Sequence, residues 1–230
     1  MSKEKFIDGF NKALKKFNIN TTPIFEHGIK ISNDAVNTNR VNISIPKKDI
    51  TKKELLDIVF LLFGKFDDTK AFIDSVYESN ENKIQNIFLG HSLGKSEIYF
   101  ELFEEGESST ILSYDGEQNE YKPIEDITDV VKTLCDVITQ KTKLIITEPN
   151  LLFKGGFVKN ENTYYLLILE PMNTIRDILQ ILSNNINSDE EETIKNWFND
   201  NNDKIVSHVA YNINNNEITL NIYTNESRTS

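Results

Sequence analysis

Residues 88–102, FLGHSLGKSEIYFEL, place the pattern G-x-S-x-G between two runs of apolar residues. After the second glycine, Ile98 and Phe100 alternate with polar neighbours, which is typical of a strand with one buried face. The run before the pattern is also rich in residues that favour strands. The stretch therefore predicts two antiparallel strands, with Gly90 and Gly94 permitting a tight turn or a bulge between them.

The same pattern is that of the nucleophile elbow of α/β-hydrolases, in which a serine lies between a strand and a helix. Ser92 would be the nucleophile and His208 the base. The backbone near His27 and Gly28 would supply the oxyanion hole. However, a strand is predicted after Gly94 where the elbow requires a helix, and His208 lies within a predicted strand. The pattern therefore favours a hairpin, and a serine hydrolase stays as an alternative function.

Strand pairs and helices alternate along the chain. Alternating apolar residues predict strands at 22–46, 83–103, 110–114, 142–147, 151–158, 162–169 and 203–224. Helical spacing predicts helices at 1–17, 49–66, 67–79, 124–140, 172–185 and 189–200. The order strand-strand-helix-helix recurs, which indicates an internal structural repeat and an α+β fold with antiparallel strands. No linker rich in proline or glycine divides the chain, so we expect a single domain over residues 1–230.

The predicted strands have one apolar face and one face that carries charged and aromatic residues. On the second face lie Glu26, Lys30, Arg40, Lys95, Glu97, Tyr99, Tyr165 and Tyr223. If the sheet closes with the helices outside, this face lines a barrel, where polar and aromatic groups form a ligand chamber. An open sheet with one solvated face has the same alternation. The alternation alone leaves both arrangements open.

The composition argues against several classes of partner. A net charge of -11 in 230 residues disfavours nucleic acid and anionic membranes. No apolar run approaches the roughly 20 residues that a membrane-spanning helix needs. The single cysteine, Cys135, precludes an internal disulfide and suits a reducing compartment, so we expect a cytoplasmic protein. His27, His91 and His208 lack the spacing of a metal site.

The first predicted hairpin has a distinctive spacing of charged residues. Lys30 follows Glu26 by four residues, and Arg40 follows Lys30 by ten. With this spacing, residues 23–44 resemble the opening hairpin of the cyanobactin-type peptide prenyltransferases. Further similar segments follow in the family's order at 83–103, 111–131, 150–169 and 217–227. The resemblance implies the ABBA fold, in which ββαα repeats close into an antiparallel barrel with helices outside and the active site in the lumen.

The resemblance also implies an activity, which is transfer of a prenyl group from dimethylallyl or geranyl diphosphate to a peptide. The family usually needs Mg²⁺, which binds through the diphosphate, and we assign no residue as a direct metal ligand. Glu26 resembles the carboxylate base, and Arg40 resembles a diphosphate-binding arginine whose guanidinium can hold two phosphate oxygens. The remaining residues implied at the diphosphate, where aromatic rings also shield the allylic cation, are Lys30, Lys95, Lys143, Tyr99, Tyr165 and Tyr223.

The chain also departs from the family. It is shorter than typical members, and Glu97, Glu101 and Thr219 stand where the family has basic residues. As an alternative, Glu26 and Arg40 can form a cross-strand ion pair on an exposed face. A non-enzymatic acidic binding or immunity protein is therefore a further alternative, since its charge would steer it to a basic partner. We expect an isoprenyl diphosphate and a peptide as ligands, no nucleic acid or membrane partner, and a monomer.

Overall fold

A computed structural model describes most of the first half of the chain and parts of the second. The described residues are 1–32, 35–63, 66–92, 94–103, 109–113, 118–123, 126, 128–129, 132–133, 153–160, 163–168, 188–201, 204–214 and 217–225. The predicted strand at 142–147 and the predicted helix at 172–185 lie outside them, as does most of the predicted helix at 124–140. Lys143 and Cys135 also lie outside the described residues.

The fold is mixed α+β with antiparallel strands, as the sequence predicts. The described helices are α1 Lys3–Phe17, α2 Lys52–Leu62, α3 Phe66–Asn80 and α4 Ser188–Asp200. The described strands are β1 Ile24–Ile31, β2 Val36–Pro46, β3 Ile84–Ser92, β4 Lys95–Phe103, β5 Ser109–Ser113, β6 Gln118–Pro123, β7 Phe153–Asn160, β8 Thr163–Ile168, β9 Ile205–Asn214 and β10 Glu217–Asn225. Within this part of the chain, no helix combines the length and the apolar character needed to cross a lipid bilayer.

Two features of the strands differ from the prediction. The loop of the first predicted hairpin is shorter than the polar run DAVNTN at 34–39 indicates, because a turn closes between Ser32 and Ala35 and strand β2 begins directly after it at Val36. In this turn the Ser32 amide donates to the Ala35 carbonyl oxygen at 3.0 Å, and the Ala35 amide donates to Ser32 Oγ at 3.2 Å. Strand β6 was not predicted, since its sequence QNEYKP lacks apolar alternation. Its Asn119 pairs with Ile111 of β5.

Side-chain caps begin the first two helices. Ser2 caps α1, where its hydroxyl accepts a hydrogen bond from the Lys5 amide at 3.4 Å. Thr51 and Glu54 form a capping box at the start of α2, as the sequence pattern Thr-x-x-Glu before an apolar helical run predicts. Each residue of the box satisfies a backbone amide of the other, and these are amides that the first turn of a helix leaves without a partner.

The chain divides into two compact units. Unit 1 comprises Met1–Glu26 and Asn39–Tyr121, and unit 2 comprises His27–Thr38 and Lys122–Ser230. The boundaries fall within β1, β2 and β6, so each of these strands contributes residues to both units.

Unit 1 packs helices α1, α2 and α3 against one face of an antiparallel sheet. The strands pair in the order β2-β3-β4-β5-β6. Phe100 of β4 contacts Phe72 and Tyr77 of α3 edge to face, at centroid distances of 5.7 and 6.0 Å. Alternate residues of the strands enter this core, as the period-two alternation of the sequence predicts, and they include Val41, Ile43, Ile45, Ile98, Phe100 and Leu102. The helix-covered face is therefore the apolar one.

Helices α1 and α2 approach each other closely at a glycine. A Cβ added to Gly9 of α1 would lie 2.8 Å from Cδ2 of Leu62 in α2. Since real Cβ atoms do not approach other carbon atoms so closely, the absence of a side chain at Gly9 permits this helix pairing.

Unit 2 contains a second set of antiparallel strands, and the predicted hairpin at 203–224 is confirmed as β9 and β10. The strands pair in the order β7-β8-β9-β10, and Lys122 of β6 pairs with Val158 of β7. Ile222 of β10 is fully buried. In the buried end of β10, the Thr224 hydroxyl donates to the backbone oxygen of His27 at 3.3 Å.

Candidate functional site

The G-x-S-x-G pattern lies on a β-hairpin. Ser92 is the last residue of β3, and Lys95 is the first residue of β4. Gly94 between them has φ of 79°, in the left-handed region that glycine adopts without strain. The prediction of a hairpin is thus confirmed with Gly94 in the turn, whereas Gly90 lies within β3, paired with Glu97, and not in a turn or bulge. A strand follows the turn where a nucleophile elbow has a helix, so Ser92 lacks the local structure that exposes a hydrolase serine.

The register of the hairpin places two cations on either side of Ser92. Ser92 pairs with Arg40 of β2 on one side and with Lys95 of β4 on the other. Residues directly opposite each other in an antiparallel sheet share a face, so these three side chains form one cross-strand row. Arg40 and Ser92 are half-buried and Lys95 is exposed. The row Arg40–Ser92–Lys95 is called the cation row below.

The geometry of the cation row suits an anion with more than one phosphate oxygen. Adjacent strands lie about 4.8 Å apart, so the Cα atoms of Arg40 and Lys95 are roughly 10 Å apart across Ser92. Both side chains are long enough to converge on one group between them. A guanidinium offers a planar pair of donors and an ammonium offers a point charge, and the two together bind phosphate well.

The next row along the same face has a gap at Gly90. Gly90 lies between Asn42 of β2 and Glu97 of β4. A Cβ at Gly90 would lie 3.0 Å from Asn42 Oδ1 and 3.2 Å from Tyr99 Cε2. The Tyr99 ring therefore leans over the glycine backbone, which a larger residue at position 90 would prevent. The Tyr99 hydroxyl donates to the Glu97 carboxylate.

Aromatic and acidic side chains follow further from the turn. Phe88 pairs with Tyr99, and Asn86 pairs with Glu101. Asn86 Nδ2 donates to Glu101 Oε2 at 2.6 Å, which orients this carboxylate along the sheet. Residues of one face are spaced by about 6.7 Å along a strand, so the aromatic pair lies about 13 Å from the cation row. The polar face thus changes from cationic at the turn to aromatic and acidic beyond it.

Glu26, the predicted base, lies on β1 and points away from α1. The preceding residue, Phe25, contacts Phe10 of α1 edge to face at a centroid distance of 6.0 Å. Because successive strand residues point to opposite faces, Glu26 lies on the face away from this helix. Arg40 also lies on the face away from the helices, since its neighbour Val41 is in the core. Glu26 is half-buried.

The other predicted site residues that the structure describes belong to unit 2. Lys30 is exposed on β1. Tyr223 of β10 is buried and pairs with His208 of β9, next to a β-bulge between Tyr223 and Thr224. Tyr165 of β8 pairs with Ala210 of the same β9 strand. Because His208 and Ala210 are two residues apart, the register positions of Tyr165 and Tyr223 fall on one face of the unit 2 sheet.

Two features of the site were not predicted from the sequence. The G-x-S-x-G pattern suggests Ser92 only as a nucleophile, whereas its place between two cations depends on the pairing of three strands. The pattern likewise suggests no role for His91, whose side chain lies on the core face directly behind Ser92. Because residue 91 lies between two positions of the polar face, alternation along the strand predicts that His91 is buried. A buried histidine needs hydrogen-bond partners.

The described residues offer no protein cage for a metal ion. Among them, no three side chains of His, Cys, Asp or Glu come together as potential ligands. The polar face of unit 1 instead provides cations and hydroxyl groups, which bind anions directly. A Mg²⁺ ion that enters with a diphosphate takes most of its ligands from phosphate oxygens and water, and such binding is compatible with this face.

In comparisons with known proteins, the chain matches no family model and no curated sequence. A function can therefore be inferred only from the site itself and from the resemblance noted in the sequence.

Proposed function

We propose that the chain is a peptide prenyltransferase of the ABBA type, which transfers a prenyl group from an allylic diphosphate to a peptide. The cation row carries the proposal, because it pairs Arg40 and Lys95 across Ser92 on the polar face of the sheet. Both cations are residues for which the resemblance implies diphosphate binding. Tyr99 and Phe88 lie further along the same face. Aromatic side chains beside two cations favour a ligand-binding face over a merely solvated one.

The proposal includes closure of the sheet into a barrel of ββαα repeats, with the helices outside and the polar face inside. Antiparallel pairing of consecutive strands in both units supports closure. The packing of α1, α2 and α3 on the apolar face of unit 1 supports it as well, since the polar face is the one left for a ligand. In such a chamber, charges interact more strongly than in water because the surrounding dielectric constant is lower.

The cation row would hold the leaving group of the reaction. The bond between C1 of the prenyl group and the diphosphate oxygen breaks, and both bonding electrons go to the oxygen. Arg40 and Lys95 stabilise the negative charge that develops on the released pyrophosphate. Mg²⁺, when bound to the diphosphate oxygens, supplies further neutralisation of that charge.

Glu26 would complete the transfer to the peptide. The acceptor atom of the peptide forms a bond to C1, and Glu26 takes the proton that this atom loses. Tyr99 would lie beside the allylic cation, since the face of an aromatic ring attracts positive charge. The Tyr99 ring, which leans over Gly90 one row from the cation row, would also keep water from C1, where water otherwise yields the free prenyl alcohol.

Calorimetric titration tests the binding step. The full chain is titrated with dimethylallyl diphosphate and with geranyl diphosphate, each with and without Mg²⁺. We expect binding by the wild type and at least ten-fold weaker binding by Arg40→Gln, because a hydrogen-bonded charge pair contributes about 1.5–3 kcal/mol. Lys12→Gln, at an exposed position of α1, is the matched control and should bind as the wild type does. Failure of the folded wild type to bind either diphosphate would refute the proposal.

Turnover with a peptide acceptor tests the role of Glu26. Glu26→Gln keeps the shape of the side chain and removes its basicity. We expect it to bind the diphosphate as the wild type does and to transfer the prenyl group about 10²–10⁴-fold more slowly, which is the usual contribution of a general base. An unchanged rate would show that another group takes the proton, while the transferase assignment would stand on the wild-type activity.

A further inference from the structure

We infer that Ser92 is a ligand of the diphosphate, whose hydroxyl donates a hydrogen bond to a phosphate oxygen held between Arg40 and Lys95. The inference rests on the proposed function and adds a residue to its anion site. Its basis is the register, which places Ser92 at the centre of the cation row with one cation directly opposite on each neighbouring strand.

The size of the serine side chain is as important as its hydroxyl group. Arg40 and Lys95 have long side chains, and Ser92 between them has a short one. The row therefore has a cationic side chain on each side of a shallow depression at Ser92. A phosphate group at this centre meets the serine hydroxyl beneath it and a cation on each side. A hydroxyl that donates to a charged oxygen makes a stronger hydrogen bond than it makes to a neutral acceptor. A bulky residue at position 92 would occupy the space of the phosphate.

The turn determines that Lys95 faces Ser92. Gly94 adopts φ of 79°, which allows the chain to reverse direction within two residues. Lys95 thereby pairs directly with Ser92, whereas one additional residue in the turn would move lysine to the other face of the sheet. The G-x-S-x-G pattern thus has a structural explanation: Gly94 forms the turn, Gly90 leaves room for Tyr99, and Ser92 contacts the anion.

The neighbouring histidine does not activate Ser92 as a nucleophile. His91 Nε2 lies 2.8 Å from the Met1 carbonyl oxygen, and His91 Nδ1 lies 3.1 Å from Ser96 Oγ. Both ring nitrogens therefore have partners, and both partners lie on the opposite face of β3 from Ser92. Because a nucleophilic serine needs a base within hydrogen-bond reach, His91, whose ring nitrogens are held on the core face, does not serve as the base for Ser92.

Titration of Ser92 variants with inorganic pyrophosphate and with dimethylallyl diphosphate tests the inference. Ser92→Ala removes the hydroxyl, and we expect about ten-fold weaker binding of both ligands, the loss typical of one hydrogen bond to a charged group. Ser92→Asp places a carboxylate beside the phosphate, and we expect no measurable binding. Ser44→Ala is the matched control, since Ser44 lies on the same face of β2 in the row of Phe88 and should bind as the wild type does. Thermal unfolding verifies that each variant is folded.

The outcomes separate this inference from the proposed function. If the wild type binds neither ligand, the proposed function fails. If the wild type binds and Arg40→Gln does not, while Ser92→Ala and Ser92→Asp both bind as the wild type does, the role of Ser92 is wrong and the proposed function stands. If a fluorophosphonate probe labels Ser92 in the folded wild type, Ser92 is a nucleophile and the inference is overturned.

Discussion

The imidazole of His91 stacks on the ring of Phe6, with 5.2 Å between the ring centroids and 21° between the ring planes. The Met1 carbonyl can only accept a hydrogen bond, so His91 Nε2 is the donor at 2.8 Å. In neutral His91, Nδ1 then accepts from the Ser96 hydroxyl at 3.1 Å. These contacts join the start of α1 to the end of β3, directly behind the cation row. The first residues of the chain thus pack against the strand that carries Ser92.

Replacement of His91 separates the stacking from the hydrogen bonds. His91→Phe retains a ring against Phe6 and removes both polar contacts, so we expect a loss of about 1–3 kcal/mol in the free energy of unfolding. His91→Ala also leaves a cavity, and we expect the larger loss of about 2–5 kcal/mol that cavities in a core produce. Urea unfolding at neutral pH measures both. Equal stabilities of the two variants would show that stacking on Phe6 contributes nothing.

The capping box of α2 predicts a pH dependence of stability. The Glu54 carboxylate accepts from the Thr51 hydroxyl at 2.6 Å and from the Thr51 amide at 2.8 Å. The hydrogen bond from the Thr51 hydroxyl has the larger effect and the one from the Thr51 amide the smaller, and together they hold the pKa of Glu54 below its ordinary value of 4.5. Because the pKa of Glu54 is lower in the folded state, its ionised carboxylate stabilises the folded state. This stabilisation is fully present above pH 4.5 and is lost as the pH falls through the pKa of the folded state.

Unfolding of capping-box variants between pH 3 and pH 6, a range of about three units around the carboxylate pKa, tests this. We expect Glu54→Gln to lose less stability than the wild type on acidification, since it carries no titrating group at the cap. Glu78→Gln on the exposed side of α3 is the control and should follow the wild type. Thr51→Ala should cost about 1 kcal/mol at neutral pH. Identical pH profiles for Glu54→Gln and the wild type would contradict the role of the carboxylate.

Much of the fold follows from alternation in the sequence, while the register does not. Val41 and Phe100 were expected on the apolar face from period-two alternation alone, and both are in the core. Apolar alternation tells which face a residue occupies but not which residue lies opposite it, because a shift of two residues preserves the faces. The pairing of Ser92 with Arg40 and Lys95 depends on the length of the turn at Gly94, which the sequence leaves open among several turn types.

Two other features could not be predicted because they depend on partners distant in the sequence. Strand β6 has no apolar alternation and is a strand through its pairing with β5, for example Tyr121 with Ser109. The placement of the Tyr99 ring over Gly90 depends on the absence of a side chain on the neighbouring strand. Composition and spacing carry no information on such contacts, whereas the resemblance to a family did indicate Arg40 and Lys95 as candidates.

The backbone conformation of Gly94 predicts that substitutions at this position lower the free energy of unfolding without any change in packing. A Cβ at this position would meet no atom within 4 Å, so Gly94→Ala has room for its methyl group. The cost comes from φ of 79°, which disfavours alanine by about 1–2 kcal/mol. Gly94→Asn should cost less, since asparagine enters the left-handed region more readily. Urea unfolding compares the two variants, and an alanine variant as stable as the wild type would show that the turn can change its conformation.

Gly90 and Tyr99 predict an energetic coupling across β3 and β4. A Cβ at Gly90 would lie 3.2 Å from Tyr99 Cε2, and the Tyr99 hydroxyl is held by Glu97, so the ring cannot move without loss of that hydrogen bond. Alanine in a strand is favoured over glycine by about 0.5–1 kcal/mol through chain entropy. Overpacking costs typically about 1–3 kcal/mol, so we expect Gly90→Ala to be net destabilising by about 1 kcal/mol.

A double-mutant cycle measures the coupling. In a Tyr99→Ala background the ring is absent, and we expect Gly90→Ala to be neutral or stabilising, since the remaining close contact is with the flexible side chain of Asn42 at 3.0 Å. The interaction free energy should then be about 1 kcal/mol, within the range found for residues in contact. Additive effects of the two substitutions would show that the ring does not lie over Gly90 in solution. The same cycle, repeated in the presence of pyrophosphate, shows whether this anion changes the coupling free energy between positions 90 and 99.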